Sequence, residues 1–154
     1  AAYGGGCEFV LAADFAYGAK SAKLALTEVT LGIMPGAGGT QFLPRAVGIR
    51  RAKEFLLTGT PCSANEAKDW GIFNKVCEDS DLLNEALTTA KRIASNAPIS
   101  IKQAKKALNV STQMDLKNGY AFEIEAYNRM VPTEDRQEGI RAFNEKRKPV
   151  YKGE

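Results

Sequence analysis

Apolar residues come in short bursts over the first half of the chain and at helical spacing over the second. Residues 1–3 read as the end of a strand. The apolar run of residues 8–13, opened by Gly4-Gly5-Gly6, predicts a helix over about 5–13. Residues 14–18 read as a short buried strand, 23–26 as another, and 30–33 as continued extended chain. Two short helices are expected between Thr40 and Thr58, the first over 41–47, with a break at Gly48 and a stop at Gly59. Ser63 and Glu66 form a capping box for a helix reaching Asp69. Gly71 should end it, and 72–76 reads as a strand. Alternating β and α pieces of this kind predict an α/β region.

The pattern then changes. Leu83, Ala86, Leu87, Ala90, Ile93 and Ala94 mark one face of a helix over 81–96. Pro98 opens the next, over 99–110, and two more are expected over 115–130 and 133–146. No strand signal follows Val76. The division expected is an α/β core over 1–78 and an all-helical portion over 79–154. Trp70 and Tyr120 are expected in the core or at an interface.

Composition narrows the function classes. The 154 residues, 44% hydrophobic and 25% charged, suit one domain able to bury roughly two-thirds of its unfolded surface. A net charge of +3 does not by itself call for nucleic acid. Histidine is absent, which removes Ser-His and Cys-His dyads and His-ligated metal from this chain. Cys7, Cys62 and Cys77 lack zinc spacing and read as reduced thiols, as in a mitochondrial matrix or cytoplasm. No apolar run is long enough to span a membrane.

Chemistry concentrates in two glycine clusters and two glutamates. Gly4-Gly5-Gly6 leaves backbone N–H groups open to a ligand atom at a helix start, where the dipole favours negative charge. Glu8 lies in the first turn beyond them. Glu28 follows twenty residues later, and Pro35-Gly36-Ala37-Gly38-Gly39 repeats the device before another helix. Such a set suits acyl-thioester chemistry, which needs fixed donors for an enolate-like oxygen and carboxylates for its protons. Each piece alone has a plainer reading: a tight turn, a capping charge, a loop.

Together, the string AAYGGGCEFVLAADFAYGAKSAKLALTEVTLGIMPGAGGTQFLPRAVG resembles the central signature of the enoyl-CoA hydratase/isomerase (crotonase) family. The resemblance implies the C-terminal portion of a crotonase-like ββα spiral followed by an all-helical trimerisation subdomain. It also implies that the first repeats, and a second oxyanion N–H, lie upstream of Ala1. Glu8 and Glu28 match the two catalytic glutamates of hydratases, Glu8 activating water and Glu28 supplying the α-proton. Gly5 matches an oxyanion donor. Gly4 and Gly36 match substrate-binding positions, with Gly36 equally readable as a turn glycine.

Phe143 and Lys146 match an aromatic and a lysine that reach the CoA adenine and phosphates of a neighbouring subunit. This implies a homo-trimer or a dimer of trimers. The implied substrate is a trans-2-enoyl-CoA, with coenzyme A as its carrier, no separate cofactor and no metal. The ending AFEIEAYNRMVPTEDRQEGIRAFNEKRKPVYKGE is similar to the methylglutaconyl-CoA hydratase branch of leucine breakdown. Two alternatives stay open: a Δ3-Δ2-enoyl-CoA isomerase of the same fold, and a non-catalytic oligomerising or RNA-binding relative. Lys102, Lys105 and Lys106 make a basic patch without an aromatic platform, so RNA is the less favoured partner.

Overall fold

A computed structural model describes all of residues 1–154. Two compact units are present, Ala1–Leu87 and Thr88–Glu154. The first opens with strand β1 (Ala2–Tyr3), helix α1 (Gly5–Ala12), strand β2 (Tyr17–Ala19) and strand β3 (Lys23–Ala25). Helices α2 (Gly39–Val47) and α3 (Ile49–Thr58) follow, then strand β4 (Cys62–Ser63), helix α4 (Ala64–Asp69) and strand β5 (Lys75–Cys77).

β1 pairs in parallel with β3, Ala2 opposite Leu24 and Tyr3 opposite Ala25. The β4 strand, too short to read from sequence, pairs antiparallel on the other edge of β3, with Leu24 opposite Cys62. β2 and β5 form a separate parallel pair. Its register requires Tyr17 opposite Lys75 and Ala19 opposite Cys77, which places both strands later than the expected 14–18 and 72–76. Ile72 and Phe73, expected in that strand, instead enter the core beside Leu24, Leu26, Leu43 and Phe55. Trp70 packs edge-on against Phe55 at 5.6 Å and carries the Arg51 guanidinium 4.8 Å above its ring.

Residues 30–32, expected to be extended, are not. A 3₁₀ turn runs over Glu28–Leu31 and ends at Gly32, which has φ 75°. The Thr30 hydroxyl and N–H both donate to the Thr27 carbonyl, at 2.7 and 3.0 Å, so a local bond overrides the β preference of Val29-Thr30. The capping box forms as expected: Glu66 N–H donates to Ser63 Oγ, and Ser63 N–H donates back to Glu66.

Helix α5 (Leu82–Ala94) has no buried residue; Leu83 and Leu87, on its expected apolar face, are exposed. The second unit contains α6 (Pro98–Ser111), α7 (Leu116–Asn128) and α8 (Glu134–Asn144), with α6 packed on α7. Asp115 and Thr133 cap the last two helices through their side chains. Tyr120 is exposed. The C-terminal tail is clasped by buried Asp135, which accepts the N–H groups of Lys152 and Gly153 at 2.7 and 2.8 Å.

Candidate active site

The parallel pairing of β1 with β3 decides where the two glutamates go. Tyr3 and Ala25 are opposite one another, so both strands finish at the same edge. The chain leaves β1 through Gly4, whose N–H donates to the Ala25 carbonyl at 2.9 Å, and starts α1 at once. It leaves β3 through Leu26 and Thr27 into the 3₁₀ turn that begins with Glu28. Glu8, in the first turn of α1, and Glu28 therefore stem from one end of a parallel pair, where open α/β sheets form their clefts.

Both carboxyl groups are buried, at 4% and 9% exposure, and their surroundings differ. Glu8 Oε1 accepts the N–H groups of Ala37 and Gly39, each at 2.8 Å, from the turn that starts α2. A helix N-terminus presents unpaired donors and a positive dipole end, so it suits a carboxylate, here held through one oxygen. Glu28 Oε2 is buried without a hydrogen-bond partner in the chain. Its Oε1 lies against Gly4, 3.5 Å from where a Cβ would stand on that glycine.

Cys7 reports on both acids. Burial pushes its thiol up to about 12, and the charges of Cys62, Glu28 and Glu8 add to the shift.

Gly5 is the first helical residue of α1, so its N–H has no carbonyl one turn earlier within the helix. It is exposed, and a Cβ built on it meets nothing within 4 Å, which leaves room for a ligand atom. Gly36 is similarly open. Gly4 has φ 56° and serves as the N-cap that turns β1 into α1. Glu8, Glu28, Gly4, Gly5 and Gly36 all belong to the first unit.

Phe143 and Lys146 belong to the second. Phe143 is 83% exposed at the rim of a cavity of about 390 Å³ that also includes Tyr127, Ile140 and Tyr151. Lys146 is exposed just after α8, in a left-handed conformation with φ 54°. In the basic patch of α6, the Lys106 ammonium lies 5.3 Å from the centre of the Phe122 ring. Ala37 and Gly39 anchor Glu8 across 29 and 31 residues of chain, a match that no local pattern announces. Their place in a glycine turn before a helix is the available signal, but it does not name the acid they hold.

The chain matches the family model described as enoyl-CoA hydratase/isomerase over residues 1–154. It belongs to that family. The chain is 44% identical over 147 residues to the short-chain-enoyl-CoA hydratase of Clostridium acetobutylicum, covering 96% of this chain and 56% of that protein. It is 42% identical over 157 residues to the mitochondrial methylglutaconyl-CoA hydratase of Homo sapiens, covering 99% of this chain and 46% of that one. The crystal structure of an enoyl-CoA hydratase from Bacillus anthracis superposes with a TM-score of 0.98 at 50% identity, over 99% of this chain and 59% of that chain. The fold is thus a portion of the crotonase fold, and the chain spans about half the length of the relatives it matches. No helix is long and apolar enough to cross a membrane.

Proposed function

We propose that the protein carrying this chain is an enoyl-CoA hydratase that adds water to a trans-2-enoyl-CoA thioester. The observation that carries the reading is the inequality of two buried carboxyl groups at one strand end. Glu8 is fixed through one oxygen by two N–H donors, which leaves Oε2 to accept a proton from water. Glu28 keeps a buried oxygen free of partners and is the group suited to deliver a proton to the α-carbon. The water oxygen bonds to the β-carbon, the carbon–carbon double bond opens, and the α-carbon takes its proton from the same side, giving syn addition. Charge that builds on the thioester oxygen meanwhile meets the Gly5 N–H. A double-bond shift needs only a proton moved between two carbons, so a second carboxyl group supports hydration over isomerisation.

Coenzyme A enters as part of the substrate. Gly4 and Gly36 would line the acyl approach, and Phe143 with Lys146 would meet the CoA adenine and phosphates of a neighbouring subunit in a trimer or dimer of trimers. The 3-methylglutaconyl thioester of leucine breakdown is one candidate acyl group, since a relative bears that name. Three free, buried thiols suit a reducing compartment such as a mitochondrial matrix or cytoplasm.

The test is loss of enoyl-thioester absorbance when the full-length protein meets crotonyl-CoA or 3-methylglutaconyl-CoA. Glu8→Gln and Glu28→Gln should each lower kcat by about 10²–10⁴-fold. A full-length protein that consumes neither thioester would overturn the reading.

A further inference from the structure

Phe42 lies in the first turn of α2, outside the apolar core, with 40% of its surface exposed. Its ring does not simply face solvent. It folds back over Gly38, so that a Cβ on that glycine would fall 2.4 and 2.7 Å from two ring carbons. The ring therefore occupies the space that a side chain at residue 38 would take. The Gly38 carbonyl also accepts the N–H groups of Gln41 and Phe42, at 2.9 and 2.8 Å. Gly38 itself has φ 105°, a conformation open to many neighbouring states because glycine lacks a Cβ. It stands between Ala37 and Gly39, the two donors to Glu8 Oε1.

We infer that Phe42 is a positioning residue for Glu8: its ring pins Gly38 and thereby aims the flanking N–H groups at one carboxylate oxygen. Without the ring, Gly38 regains backbone freedom, and the two N–H groups no longer stay aligned on Glu8. The loss would fall on the reacting geometry and not on ground-state affinity, since Phe42 is not assigned any contact with the thioester. The kinetic consequence rests on the hydratase reading above; the backbone consequence does not.

The experiment compares Phe42→Ala and Phe42→Tyr in the full-length protein. Amide hydrogen exchange at Ala37 and Gly39, measured without substrate, should speed up about 10-fold or more in Phe42→Ala. It should return to the native rate in Phe42→Tyr, which keeps the ring. Exchange at Ala52 and Phe55 in the core should not change. With crotonyl-CoA, kcat of Phe42→Ala should fall about 10-fold or more while KM stays within about twofold. If Phe42→Ala loses protection throughout, Phe42→Leu replaces it with the same readouts. Native exchange rates at Ala37 and Gly39 in a folded Phe42→Ala or Phe42→Leu protein would overturn the inference. Faster exchange there in a protein whose native form hydrates no enoyl-CoA would sustain it and remove the hydratase reading instead.

Discussion

Gly39 both holds Glu8 and makes room for it. Its N–H donates to Glu8 Oε1 at 2.8 Å, and a Cβ on residue 39 would stand 3.0 Å from that oxygen and 3.2 Å from Glu8 Cγ. Pro35 Cβ would be closer still, at 2.9 Å, so the added methyl is blocked on two sides. Gly39→Ala is therefore expected to push the carboxylate aside. Stability should drop by about 1–3 kcal/mol, and kcat by about 10–100-fold. Thermal melts and steady-state hydration read the two effects separately, and native kcat in Gly39→Ala would show that this contact does not set the position of Glu8.

The two acids should respond differently to removal. Glu8→Ala leaves the Ala37 and Gly39 N–H groups without their acceptor, at a cost of about 2–4 kcal/mol in total. Glu28→Gln removes a carboxyl group whose Oε2 has no partner, so the protein should be as stable as the native form or more so while losing activity. Denaturant midpoints check the ordering. Equal destabilisation by both variants would contradict the inequality read from the site.

Acid should loosen the C-terminal tail through Glu138. The Arg147 guanidinium, at 2.6 and 2.9 Å, and the Val150 N–H hold the Glu138 carboxyl at about 2, well below its ordinary 4.5. Between those values the unfolded chain binds a proton that the folded chain does not. The contribution is thus complete above pH 4.5 and lost as pH falls toward about 2. Glu138→Gln should flatten the pH dependence of stability across that window, as read by denaturant unfolding at stepped pH.

Thiol chemistry gives an independent check on packing. Burial pushes the Cys7 and Cys62 thiols up to about 12 and about 11, and Cys77 is also buried. Thiolate is the reactive form, so a disulfide reagent at pH 8 should label the native protein slowly at these positions. Unfolding should release all three at once. Rapid native labelling of Cys7 would place that sulfur outside the buried cluster described here.

The sequence by itself determined what depends on near neighbours. Ser63 with Glu66, Asp115 and Thr133 start helices where their side chains reach the N–H three residues on, and such contacts need no partner from elsewhere. The two glycine turns and the α/β-to-helical change were legible for the same reason, whereas Glu8 and Glu28 stand out as a pair only through the resemblance to the family signature. The tertiary structure alone decided pairing: that β1 lies parallel to β3, that β2 meets β5 at Tyr17 and Lys75, and that residues 28–31 coil into a 3₁₀ turn. It also decided that Glu8 is anchored by N–H groups 29 and 31 residues away. A local pattern fixes which way a side chain faces along its own element, whereas strand register and an N–H-to-carboxylate match depend on how distant elements pack, and the chain order does not encode that distance directly.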